Sequence, residues 1–226
     1  MGLVLLGMAP CAPFLPMMVD KARGDLAYAA AFMLLASVVT VVYMPFAVPV
    51  MVKGLSASTW TIAKPLLFLL LVPLVIGLAI QHASAPFASR LHPFVSKTTG
   101  ICTVVMLVLC VVVYAKGFIG AIGSYAIGTQ VLFFSVATAA SYGLSFGLPQ
   151  GQKSVLALGM STRNLGAAFA PLFALPNIDH RAIVMVALGV PMQTIFSLLA
   201  ARSLSRRTSI VAREQNRPLR EKKGSA

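Results

Sequence analysis

Residues Ser161-Thr162-Arg163-Asn164 form a polar patch between two apolar runs, 155–160 and 165–175. Arg163 is the one formal charge in the interior of an apolar stretch. A guanidinium presents a planar fork of donors that fits a carboxylate or sulfonate in bidentate fashion. The same fork also caps free carbonyl ends. A charge at membrane depth costs roughly 2.5–3.5 kcal/mol on insertion scales, so it usually marks a function or a partner. Ser161, Thr162 and Asn164 supply hydroxyl and amide groups that either satisfy opened backbone or touch a ligand. A second group lies near the start of the chain, where Pro10, Cys11, Pro13 and Pro16 fall within seven residues. Each proline deletes a backbone donor and clashes with the preceding turn. The Cys11 thiol is either a soft ligand or a small packing residue.

Hydrolytic chemistry has little support. No His-Glu-x-x-His motif occurs, and His82, His92 and His180 are expected in loops without metal spacing. The five acids, Asp20, Asp25, Asp179, Glu214 and Glu221, fall in expected loops or the C-terminal tail, so no pair of membrane carboxylates exists. Cys11, Cys102 and Cys110 show neither a CxxC spacing nor a Cys/His cluster. No enzyme activity, cofactor or metal site is expected.

The elements that must position these groups are membrane helices. The chain has 226 residues, 58% hydrophobic and only 10% charged, with a mean hydropathy of +0.89. A soluble domain carries about 25% charged residues. Segments of roughly 20 apolar residues span a bilayer. Seven are expected, at about 2–19, 26–50, 62–80, 99–115, 125–146, 155–175 and 182–201. The prolines should break the first near mid-membrane, and the polar patch interrupts the sixth. Irregular backbone at that depth survives where it is buried in protein or lines a wet cavity. Gln130 and Gln193, in apolar helices, are expected to hydrogen-bond between helices.

The net charge is +13, and eight of the eighteen Lys and Arg lie between Arg202 and Lys223. A basic tail beside a membrane helix reads as a contact for anionic lipid headgroups, not for nucleic acid. By the Lys/Arg bias the C-terminus is cytoplasmic. Lys21 and Arg23, Arg90 and Lys97, and Lys153 then lie on the same side. Lys53, Lys116 and Arg181 lie opposite.

The two interrupted segments correspond. Leu5-Leu6-Gly7-Met8 parallels Ala157-Leu158-Gly159-Met160, and the helix that follows each holds a Val-Pro pair, Val48-Pro49 and Val190-Pro191. Paired interruptions point to a transporter site between inverted repeats. With Gly7-Met8-Ala9-Pro10-Cys11-Ala12-Pro13, Ala22-Arg23-Gly24-Asp25 and Gly159 through Ala168, the chain resembles the bile acid:sodium symporter family from Gly7 to about Arg206. The resemblance implies an all-α, inverted-repeat secondary transporter with two broken helices that cross. That fold has ten helices, of which this chain would supply seven, the fourth to the tenth. The first three would then lie outside it, through a late start or a truncation. Residues 1–52 and 124–202 would form the core with the crossing, and 62–116 half of a flanking panel. Residues 203–226 would be a disordered basic tail. The location implied is a bacterial inner membrane.

The expected activity is carriage of a small organic anion, with Arg163, Asn164, Thr162, Ser161, Pro10, Cys11 and Pro13 as substrate contacts. The coupling ion, H⁺ or Na⁺, stays open, but the resemblance argues against Na⁺. Where sodium-coupled members place a Ser-Asn pair, this chain has Leu15-Pro16. Ala29 and Met33 stand where they place hydroxyls, and Gly159 where they place a glutamate. Arg163 aligns with a sodium-binding glutamine. Like charges about 4 Å apart cost about 4 kcal/mol at an effective dielectric of ~20. The region around Cys11 is also similar to arsenite efflux permeases, which makes a metalloid carrier the alternative. A further alternative is an inactive fragment.

Overall fold

A computed structural model of the protein describes residues 1–51, 58–173 and 180–224, with side chains to Val211 except that of Leu69. Lys53, Asp179 and the expected limits at 52 and 175 lie outside the described residues.

The described residues form helices and no strands. The first segment is two short helices, α1 (Gly2–Met8) and α2 (Leu15–Lys21). Ala9 is extended, at φ −64° and ψ 144°, because the residue before a proline is pushed out of the helical region. Pro16 falls in the first turn of α2, where a missing N–H costs nothing. A turn follows in which Arg23 takes a φ of 54° and the Asp25 carboxylate accepts the Tyr28 N–H at 2.9 Å, starting α3 (Leu26–Met51).

Next come α4 (Thr59–Leu66), a π-turn at Leu67–Leu71, and α5 (Val72–Ala83). Pro73 cannot donate to the Leu69 carbonyl and its ring presses on it; the widened turn accommodates both effects. Helix α6 (Ala85–Val113) follows after one residue, and α7 (Ala115–Ala121) meets α8 (Ala126–Gly143) at a bend of 88°. The second broken segment is α9 (Gln150–Ser161) with α10 (Leu165–Phe173). The last helix, α11, runs His180–Gly224. It contains Pro191, which leaves the Ala187 carbonyl without its helical donor. The Cys110 thiol of α6 points at that carbonyl at 3.4 Å.

The seven expected segments are thus present in order. Among the described residues, α3, α6 and His180–Val211 of α11 are each long and apolar enough to cross a membrane, and α7 with α8 is so as a bent pair. The remaining segments are divided by their breaks. Two buried apolar layers sandwich the crossing. One joins α1, the later half of α3, α4, α8, α10 and α11 through Leu5, Met44, Ile62, Phe134, Leu172 and Val186. The other, the lower layer, joins α2, the start of α3, α9 and the later part of α11 through Leu15, Val19, Ala29, Leu158 and Leu204. The outer surface is apolar too. Val112 of α6 is 68% exposed and Val50 of α3 is 82% exposed. Such a surface suits lipid, not water.

Three expectations are corrected. The stretch 85–98 is helical, not a loop. Ser84 caps it by accepting the Phe87 N–H at 3.4 Å, and Pro86 sits in its first turn. His82, His92 and His180, expected in loops, are helical residues of α5, α6 and α11. Finally, the tail continues α11 to Gly224. Extending a formed helix needs no new nucleus, and Arg, Leu, Ala, Glu and Gln favour it. Tertiary contacts also hold its first turns. Thr208 donates to the Ala22 carbonyl at 3.3 Å, Arg23 donates to the Ser209 hydroxyl at 3.2 Å, and Arg207 lies 5.3 Å from the Tyr142 ring centroid.

Candidate functional site

The two chain breaks touch. The Asn164 backbone N–H donates to the Pro10 carbonyl at 2.7 Å. Helices α1 and α9 end here from opposite layers, and α2 and α10 begin here. At the second break Thr162 is extended, at φ −120° and ψ 131°. Asn164 restarts the helix, its amide oxygen accepting the Ala167 N–H at 3.2 Å.

Arg163 sits inside the crossing and is 7% exposed. Its Nη1 donates to the Ala9 carbonyl, one of the last of α1, at 3.1 Å. Its backbone N–H donates to Gln193 Oε1 of α11 at 2.6 Å. The guanidinium carbon lies 5.6 Å from the centroid of the Phe133 ring of α8, a cation–π distance. The other edge is nearly free. Nη2 meets only the soft sulfur of Met160, at 3.5 Å, and the buried Nε has no hydrogen-bond partner. Nε and Nη2 together form the side edge of the fork, the one a carboxylate grips with two parallel bonds.

Arg163 also lines a cleft of about 300 Å³ between the crossing and α6. Pro13, Arg163, Asn164 and Gln193 line one wall; Thr98, Thr99, Cys102, Thr103 and Met106 line the other. The cleft shares Cys102, Met106, Leu165 and Gly166 with an apolar groove of about 550 Å³ between α6 and α10.

The seven expected contacts therefore divide. Pro13, Arg163 and Asn164 line the cleft. Pro10 contributes its carbonyl to the crossing. Cys11 is 4% exposed and packs in the apolar layer with Phe14, Leu15 and Val19. Ser161 and Thr162 are fully buried, and both hydroxyls donate to the Leu158 carbonyl, at 3.0 and 2.9 Å. Both glutamines bond between helices as expected, Gln130 by donating to the Met185 carbonyl at 2.7 Å. Sequence reasoning missed the α6 wall. Its signal was Thr99, Cys102, Thr103 and Met106, spaced i, i+3, i+4, i+7 on one helical face.

The positions where sodium ligands were sought are closed by carbon. Leu15 and Ala29 are fully buried in the lower apolar layer, and Met33 packs against it. At Gly159 an added Cβ would strike the Phe32 ring.

Gln193 holds the backbone of Arg163 in place. Gln193→Leu leaves that buried N–H without an acceptor, a cost of about 1–3 kcal/mol. A lowered unfolding temperature in detergent is the expected result. An unshifted transition would mean that the N–H finds another acceptor.

Two comparisons bear on identity. The model of the Sodium Bile acid symporter family matches residues 1–121, more than half of the chain, including the first break and all of α6. No curated protein matches significantly.

Proposed function

The chain belongs to the sodium bile acid symporter family, a family of membrane transporters, and on that premise we propose that it carries a small organic anion without sodium. The observation that carries this reading is Arg163, a cleft-lining residue whose buried Nε has no partner and whose Nη2 meets only the Met160 sulfur. A carboxylate or sulfonate takes that edge, displacing the weak Met160 sulfur contact. Asn164 and the first turn of α10 add donors to the same wall. Thr98, Thr99 and Thr103 line the opposite wall from α6, the Thr103 hydroxyl donating to the Thr99 carbonyl at 2.7 Å. A cleft of this volume lies at the lower end of the range for small-molecule sites. The adjoining apolar groove suits a substrate with a hydrocarbon portion.

Sodium is disfavoured because its expected ligands are Leu15, Ala29, Met33 and Gly159, and because a guanidinium occupies the crossing. Topology follows from charge. Arg23 touches Ser209 of the tail, and the Asp25 N–H donates to the Gly151 carbonyl beside Lys153, so these basic regions share one face. That face is cytoplasmic by the positive-inside rule, in a bacterial inner membrane, with the tail against anionic headgroups.

The test is uptake into proteoliposomes of taurocholate, pyruvate, pantoate and isethionate, each with Na⁺ and with choline. At least one should be taken up above protein-free vesicles, at a rate that changes less than about twofold on removing Na⁺. A rate that falls in proportion to Na⁺ contradicts the ion assignment. No uptake of any of the four contradicts the reading as a whole.

A further inference from the structure

Three successive carbonyls close α1 at the crossing, and each accepts a bond from a fixed internal donor. The Tyr43 hydroxyl donates to Met8 at 2.7 Å, Arg163 Nη1 to Ala9 at 3.1 Å, and the Asn164 N–H to Pro10 at 2.7 Å. The carbonyl end of a helix is partially negative and favours a cation. Here the cation is part of the chain, held in a buried pocket under the Phe133 ring.

We propose that Arg163 is a resident cation that stands in for a co-transported one, so that the substrate anion crosses with neither Na⁺ nor H⁺. The inference rests on the carrier reading above and deepens it. A hard cation needs several oxygens in place of its water shell. The carbonyls that end α1 are occupied, and the Ser161 and Thr162 hydroxyls are turned to Leu158. A proton would need a group in the crossing that changes charge near neutral pH. The guanidinium stays protonated. Of the titratable side chains near the end of α1, the Cys11 thiol is buried in an apolar layer and the Tyr43 hydroxyl donates to the Met8 carbonyl, and neither type ordinarily changes charge near pH 7. The other elements against it contribute Phe133 from α8, Met160 from α9 and Gln193 from α11, none of which titrates. None of the chain's acids falls in either break.

Charge bookkeeping then follows. The site is positive when empty and neutral when it holds a monovalent anion. Each turnover moves one negative charge in the direction of the substrate, so accumulation responds to membrane potential and not to ion gradients. The experiment uses the protein in liposomes with whichever of the four anions it takes up, the potential being set with K⁺ and valinomycin. Equilibrium accumulation should change about tenfold per ~59 mV, higher where the interior is positive. It should be unmoved by a Na⁺ gradient or a one-unit pH gradient, after subtracting protein-free vesicles. In vesicles preloaded with the unlabelled anion, exchange should ignore both gradients. Transport that requires Arg163 but follows a Na⁺ or pH gradient would overturn the resident cation alone. Transport unaffected by Arg163→Ala, or by Arg163→Lys where the alanine variant is not recovered folded, would overturn the site and this inference with it.

Discussion

Arg163→Ala should lower organic-anion transport by about two orders of magnitude or more. Hydrogen bonds to a charged group contribute roughly 1.5–3 kcal/mol each, and a bidentate grip at Nε and Nη2 makes two. Every 1.4 kcal/mol is about tenfold in a binding constant. The effect on stability should be smaller, because two changes oppose each other. The Ala9 carbonyl loses its donor and Phe133 loses its cation, each of order 1 kcal/mol. Against this, the cost of keeping a charge away from water disappears. Arg163→Lys separates charge from shape. It keeps a cation at the end of α1 but offers a point charge in place of a fork, so transport should fall to an intermediate level. Initial uptake rates, read beside the unfolding temperature of the same samples, distinguish a lost site from a lost fold. Wild-type rates in the folded alanine variant would remove Arg163 from the substrate path.

Gly159→Ala should destabilise the protein by about 1–3 kcal/mol, the usual range for overpacking a filled interior. The added methyl would land on the Phe32 ring, with Cζ and Cδ1 only 3.1 and 3.2 Å away. The ring belongs to α3 and the glycine to α9, so neither backbone moves without disturbing the lower apolar layer. Phe32→Ala should cost stability by itself through the volume it empties. Combined with Gly159→Ala it should recover part of that loss, giving a coupling of about 0.5–3 kcal/mol in a double-mutant cycle. Thermal unfolding of the four proteins in one detergent measures it, and strictly additive losses would show that the ring does not set the limit at Gly159. The same contact bears on ion coupling. A carboxylate at 159 would need the volume the ring fills, so Gly159→Glu alone should not create sodium dependence.

Much of this molecule was legible along the chain. Pro10, Pro13 and Pro16 announced a broken helix because a proline's missing N–H is a local property. The polar run 161–164 announced a second break because apolar helices tolerate polar groups only for a reason. Apolar runs gave the seven segments, since bilayer thickness sets their length. Where neighbouring sequence was ambiguous, local reading fell short. The stretch 85–98 looked polar enough for a loop, yet the Ser84 cap and Pro86 make it the start of α6. The basic tail looked too charged to order, yet α11 carries it onward and the α2–α3 turn holds its first part.

Residue types and periods by themselves determined that the protein lives in a membrane, where its helices break, and that one cation lies between them. Only the tertiary structure decided what that cation does with each of its nitrogens. The acceptor of Nη1 is Ala9, 154 positions away in the chain, and the ring beneath the guanidinium comes from a third helix. It likewise decided that Ser161 and Thr162 turn to their own helix, that Cys11 packs among carbon, and that α6 supplies the facing wall. The physical reason is that helix propensity and bilayer thickness act over neighbours in sequence. Donors and acceptors are matched only when distant segments are packed together, and no local pattern records which of them will meet.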